Sequence, residues 1–362
     1  MTRRVLCAAT ALTVLLCVLI AQQAARPVHA SAGGTEPAPP ARLADTGLYA
    51  DASSTEIASG NRPFSPQYPL WTDGMTKRRW IYLPSGGVID GRDEARWEFP
   101  VGTKLWKEFS AGGRPVETRM SWKVAPDRWI FATYEWNADG SEAVLAPDDG
   151  RLTDVEVAPD RRHAVPSRTD CTACHGAISP RPLGFTALQL SDDRDPNAIH
   201  GEPLRPDMLT LQALVAGGLL VNSRGDLVSA APRIRTTDPQ TRTVLGYLVG
   251  NCSMCHNGGG EITASGPVIR YRELIEDGDA VARSLVDSPT RWQVPGVDGE
   301  HSVLIAPGAP QRSAILARMR SRSPSSQMPP LGTAVRDQAA VDALTSWITD
   351  RARWTTAATA RR

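Results

Sequence analysis

The sequence predicts a multidomain chain, with an N-terminal all-β domain of sandwich or barrel type followed by mainly α-helical segments. Two observations carry this expectation. Seven of the ten tryptophans lie between Trp71 and Trp136, in short apolar runs separated by Gly and Asp-Gly turns. Later stretches, near 209–219, 238–250 and 337–348, instead repeat apolar residues at helical spacing.

The elements follow in order. Residues 1–30 have the shape of a secretory signal peptide: Arg3 and Arg4, an apolar run over 5–21, and Val28-His29-Ala30 before Ser31. An uncleaved membrane anchor is the alternative, but the run is short for a span and ends in polar, proline-containing sequence. Cys17 follows Leu16, which is too large for the small residue that precedes a lipidated cysteine. Residues 31–60, rich in Ser, Gly, Ala and Pro, read as a flexible leader.

Residues 61–158 read as the Trp-rich β domain. Trp80-Ile81-Tyr82-Leu83 runs into Ser85-Gly86-Gly87, Val88-Ile89 into Asp90-Gly91, and Trp97-Glu98-Phe99 alternates. Gly112-Gly113 signals a hairpin between Leu105-Trp106-Lys107-Glu108-Phe109 and the run over 116–123. The strand over 129–136 is closed by Asn137-Ala138-Asp139-Gly140. The tryptophans are expected to form the core of this domain.

Asp238 before Pro239 is a helix start, with Asp as N-cap and Pro at the first helical position. The helix should run to about Gly250, with Val244, Tyr247 and Leu248 on its apolar face. Gly246 would admit another helix. Asp337 can cap the last helix, whose buried stripe is Val341, Leu344, Trp347 and Ile348.

The chemistry is concentrated in Cys171-Thr172-Ala173-Cys174-His175 and Cys252-Ser253-Met254-Cys255-His256. Both are C-x-x-C-H, the pattern of covalent c-type haem attachment. The two cysteines of each motif take the two vinyl groups of a haem, and the adjacent histidine projects under the iron. Cys171, Cys174, Cys252 and Cys255 are therefore the expected thioether attachments of two haem c groups, and His175 and His256 the proximal ligands. Zinc would have to draw on pairs about 80 residues apart, far beyond a zinc ribbon, and would leave both adjacent histidines unexplained. Thioredoxin-type redox chemistry needs a βαβ context absent around both motifs. Structural disulfides are the remaining alternative in an exported chain.

A sixth ligand decides what a haem does. For the second haem it is Met328, in Gln327-Met328-Pro329-Pro330-Leu331-Gly332, where two prolines stiffen the loop. Met319 is a lesser candidate, since it shares an apolar helix face with Ile315 and Leu316. For the first haem, His200 is preferred to Met208. His163 and an open sixth position are the other options.

From Cys252 to Ile348 the chain resembles a class I mono-haem cytochrome c domain. The likeness lies in the helix before the motif, Cys252-Ser253-Met254-Cys255-His256-Asn257, Ile305-Ala306-Pro307-Gly308, Met328-Pro329-Pro330 and the terminal helix. In small cytochromes c the corresponding two helices cross, so the resemblance implies that Gly246 and Tyr247 meet Trp347. Over 66–348 it resembles a family of exported bacterial di-haem c-type cytochromes. The stretches that match are Trp97-Glu98-Phe99-Pro100-Val101-Gly102-Thr103, Glu117-Thr118-Arg119, Tyr134-Glu135-Trp136-Asn137, Leu183-Gly184-Phe185 and Asp192-Asp193-Arg194-Asp195-Pro196. The resemblance implies cytochrome c-like haem domains for the helical part: a first haem-binding segment over 159–232 and a class I cytochrome c-like domain over 233–354.

The expected function is electron transfer in the periplasm or at the outer face of the cytoplasmic membrane. The partner would be a periplasmic or membrane-bound redox protein, with residues 305–308 and 328–332 lining the haem environment. A di-haem peroxidase or oxidase, with catalysis at the first haem and His200, Asp192 or Asp193 as acid–base group, is the alternative. A third reading makes the β domain a binding module for a dehydrogenase or a sugar. Forty basic residues against 39 acidic ones give nothing that suggests nucleic acid or an anionic membrane surface. The sequence names no small-molecule substrate.

Overall fold

The computed structural model describes residues 37–52, 55–176, 182–259, 266–297 and 302–350. The signal peptide expected over 1–30 lies outside them, as does the start of the leader. Contacts divide the chain into Met1–Ala38 and Pro39–Arg362. The second unit holds every element that follows; of the first, only Pro37 and Ala38 are described.

The central element is a six-stranded antiparallel sheet ordered β1-β2-β4-β5-β6-β7. Its strands are β1 (Asn61–Pro63), β2 (Thr76–Tyr82), β4 (Lys104–Ala111), β5 (Arg114–Ala125), β6 (Arg128–Trp136) and β7 (Ala143–Leu145). Gly112 and Gly113, at φ 57° and 82°, make the two-residue turn between β4 and β5. Both angles are positive, and such a turn carries the twist that antiparallel neighbours need. One face packs Trp80, Trp106, Met120 and Tyr134 against Leu43 and Leu48. Two small ladders complete the β structure: β3 (Ile89–Asp90) pairs in parallel with β10 (Leu220–Val221), and β8 (Arg151–Ala158) pairs with β9 (Arg161–Val165).

Among the described residues, six α-helices follow the sheet: α1 (Arg168–His175), α2 (Leu211–Ala216), α3 (Pro239–Asn251), α4 (Tyr271–Leu285), α5 (Ala314–Arg320) and α6 (Gln338–Asp350). Among the described residues, none is long and apolar enough to cross a membrane.

The expected succession of a β domain and mainly α-helical, cytochrome c-like haem domains is overturned. The molecule is β-rich, and its helices are short pieces in long irregular stretches. In the segment that carries the first motif, α1 has eight residues and α2 six. Pro182, Pro196, Pro203, Pro206 and Pro232 interrupt the rest, and proline removes a backbone donor and breaks helices. This segment buries its apolar side chains on the sheet instead: Phe185, Leu190, Leu211 and Leu214 share one core with Ile81, Ile89 and Leu105.

The third helix forms as expected. Asp238 accepts from the amides of Gln240 and Thr241, Pro239 is its first residue, and the helix ends at Asn251 against Cys252. It crosses α6, where the buried Trp347 indole donates to Thr241 Oγ1 at 3.0 Å. The close approach at Gly246 is made by something else. The ring of Tyr68, from the segment before β2, lies where a Cβ on Gly246 would be 2.1 Å from the ring edge. Tyr68 thereby belongs to the same core as Val244, Leu248 and Leu344.

Candidate functional site

Both C-x-x-C-H motifs open on one cavity of about 1160 Å³. Cys171, Cys174 and His175 line it, as do Cys252, Cys255 and His256. This exceeds the roughly 300–1,000 Å³ of pockets for drug-sized ligands.

Local structure presents each motif. Helix α1 is short, but a full capping box starts it: Ser167 Oγ accepts from the Asp170 amide, and Asp170 accepts from the Ser167 amide. Such reciprocal caps satisfy two orphan donors of the first turn. The helix then carries Cys171, Cys174 and His175 as one ridge. The His175 ring lies 4.5 Å from the Phe131 ring of β6, centre to centre.

The second motif is a turn at the C-terminus of α3. The amides of Cys255 and His256 donate to the Cys252 carbonyl at 3.1 and 2.8 Å. Asn251 anchors its base, accepting from the Trp71 amide at 2.7 Å and donating to the Pro69 carbonyl. Asn257 Nδ2 donates to the carbonyls of Ser253 and Met254 and closes the turn. Gly266 packs so tightly on His256 that a Cβ there would lie 2.4 Å from Cε1.

The two motifs touch. The Cys174 and Cys255 side chains interact, and that pairing pushes Cys174 up and holds Cys255 below the usual thiol range. Burial pushes Cys252 up to about 12 and also raises Cys171. Burial, and then the charge of Arg318, hold His256 below its ordinary value. Its Nδ1 is buried with no hydrogen-bond partner among the described residues.

Met328 lines the same cavity. Its amide donates to the Arg318 carbonyl at 3.0 Å, and Arg322 donates to its own carbonyl at 3.2 Å. Further along the loop, Asp73 accepts from the amides of Ala334 and Val335 at 2.8 to 3.1 Å, and the Trp71 indole donates to the Val335 carbonyl. Residues 328–333 thus form one wall of the cavity. Residues 305–308, expected beside them, do not line it; Met319 does, from α5.

The candidates for the sixth position of the first haem stand elsewhere. His200 Nε2 donates to both Asp337 carboxylate oxygens at 2.9 and 3.0 Å, and its ring packs on Trp71. With Met208 it lines a separate cavity of about 410 Å³. His163 is buried behind β5, with Nε2 3.3 Å from Glu117. Asp193 is held by Arg233 and Arg242, and Asp192 accepts from the Gln212 amide. None of these five lines the motif cavity.

The donor set fits covalent haem. Each motif supplies two thiols and an adjacent imidazole at the wall of a large, mostly apolar cavity. Among the described residues, no three His, Cys, Asp or Glu side chains converge as a metal cluster.

Sequence reasoning missed the charge of the sheet wall, where Arg79, Lys107 and Arg119 line the cavity from three adjacent strands. Strict alternation would have revealed them on a half-exposed sheet; here both faces are covered. No family model matches the chain, and neither a curated protein nor a solved structure matches it.

Proposed function

We propose that the chain is an exported di-haem c-type cytochrome that transfers electrons between redox partners, working in the periplasm or at the outer face of the cytoplasmic membrane. The observation that carries this reading is that both C-x-x-C-H motifs line one large cavity, on which Cys174 and Cys255 interact. When bound, haem supplies a one-electron couple; the protein supplies attachment, ligands and dielectric.

In this reading, Cys171 and Cys174 hold one haem and Cys252 and Cys255 the other. His175 and His256 are the proximal ligands, and Met328 completes the second site. The buried, neutral-leaning His256 is ready to ligate, because burial and Arg318 disfavour its protonation. The prolines and the Asp73 and Arg322 hydrogen bonds keep the Met328 loop in place, so ligation requires little ordering. Touching attachment cysteines make the shortest route between the two groups a pair of side chains, which suits electron exchange inside one molecule.

A second reading is favoured by one observation. Neither His200 nor Met208 lines the cavity, so among the described residues the first haem lacks its expected sixth ligand. An open position there would allow peroxidase or oxidase chemistry. Carbon monoxide difference spectra of the reduced protein separate the readings. No binding, with two c-type waves in a redox titration, supports the carrier. Binding at one haem supports the enzyme.

A further inference from the structure

The cavity face of the sheet carries a row of positive charge that the haem motifs do not use. Arg79 of β2 stands opposite Lys107 of β4, and Lys107 stands opposite Arg119 of β5. All three line the cavity that holds Cys171, Cys174 and His175. Directly opposed residues on one sheet face have Cβ atoms about 4.5–5.5 Å apart, and like charges placed so are destabilising.

The ends of the row are partly offset. Arg79 is buried and pairs with Glu202 at 2.9 Å. Arg119 pairs with the fully buried Glu117, which His163 also approaches. The middle is offset only by the charge of Glu117, without an ion pair. Lys107 has no carboxylate partner among the described residues, and its ammonium lies 5.4 Å from the Phe109 ring. Arg119 Nε is buried with no hydrogen-bond partner among them. Burial, and then Arg119, Arg79 and Lys77, press Lys107 well below the usual lysine range. A wall of three closely spaced basic side chains with two carboxylate partners, facing a cavity, is complementary to further carboxylates held inside it. The wall belongs to the first motif: the charges of Arg119 and Lys107 both reach Cys174, and that of Arg119 also reaches Cys171.

We propose that Arg79, Lys107 and Arg119 seat the two propionate carboxylates of the haem attached at Cys171 and Cys174. The inference rests on the di-haem reading above. It makes the β sheet a working wall of the first haem site, with Lys107 as the residue that senses that haem's charge.

The test uses haem-loaded protein carrying Lys107→Met or Lys107→Arg. Its readouts are the two midpoint potentials and the carboxylate bands of reduced-minus-oxidised infrared spectra. Removing a cation beside a haem stabilises its oxidised form. Lys107→Met is expected to shift the oxidised-to-reduced ratio of one haem about tenfold, which is about 59 mV downward for one electron. It should also move the carboxylate bands, and Lys107→Arg should restore both. If Lys107→Met does not fold, Lys107→Gln keeps a polar head without the charge and carries the same test.

Unchanged potentials and bands in a protein with two attached haems would overturn the inference while leaving the di-haem reading intact. So would a Lys107-dependent response to added succinate, which would make the row a seat for a diffusible carboxylate. Absence of covalent haem in a pyridine haemochrome assay would overturn both.

Discussion

The side chain of Cys174 on α1 interacts with that of Cys255 in the turn after α3. Two motifs far apart in sequence thus meet at one point, and each motif's reactivity depends on the other. In haem-free protein Cys255 is the favoured thiolate, while burial pushes Cys252 up to about 12. The thiolate is the reacting species. Iodoacetamide near neutral pH should therefore label Cys255 at least about tenfold faster than Cys252, read by peptide mass spectrometry. Cys174→Ala removes that interaction and should slow Cys255 at that pH; an unchanged rate would mean the two sulfurs do not interact.

Asp73 ties the Met328 loop to the segment before β2. Burial raises its carboxyl above the ordinary aspartate value, although the amides of Val335 and Ala334 oppose that shift. A carboxyl whose folded value is raised binds its proton more tightly in the folded state. Its contribution to stability is then full below the unfolded value and is lost as pH rises through the folded one. Denaturant melts of wild type and Asp73→Asn from about pH 3 to 7 should show the wild type losing ground to the variant as pH rises. Asp73→Ala leaves the two amides without their acceptor and should cost about 1–3 kcal/mol.

Gly246 is the point where the N-terminal segment wedges against α3. A methyl group there would enter the Tyr68 ring. Alanine favours helix by about 1 kcal/mol over glycine, so a neutral site would be stabilised by Gly246→Ala. Here overpacking should prevail, with a net loss of about 1–3 kcal/mol. Tyr68→Ala in the same chain should relieve part of it, giving a coupling energy in a double-mutant cycle. Additive effects would show that the ring and the helix do not meet as described.

His200 serves the fold through Asp337. That carboxylate is buried, accepts from the Ala340 amide at the start of α6 and pairs with His200. His200→Ala should cost about 1–3 kcal/mol by leaving a buried carboxylate with one partner fewer. The absorption spectra of the haem-loaded protein should stay as they are. A spectral change at one haem would return His200 to the list of iron ligands.

How much of this could be read beforehand depends on whether the signal is local. The Gly112-Gly113 turn, the Asp238–Pro239 start of α3 and the buried stripe of α6 are local, and each forms where the sequence places it. The C-x-x-C-H spacings are local too, and their residues share one cavity. The helix read near 209–219 forms over Leu211–Ala216, but the expectation of a mainly helical domain around the first motif failed for a non-local reason: its leucines and Phe185 are buried on the sheet, which no periodicity within the segment reports. The wedge of Tyr68, the diversion of His200 to Asp337 and the row Arg79, Lys107 and Arg119 are likewise made by pairings between distant strands and loops.

The central claim is that both motifs carry haem on one shared cavity. The most direct measurement combines a pyridine haemochrome assay on the mature protein with mass spectrometry of its peptides. The account predicts two haems per chain, one on the peptide with Cys171 and Cys174 and one on the peptide with Cys252 and Cys255. One haem, none, or a disulfide joining the two motifs in the mature protein would contradict it.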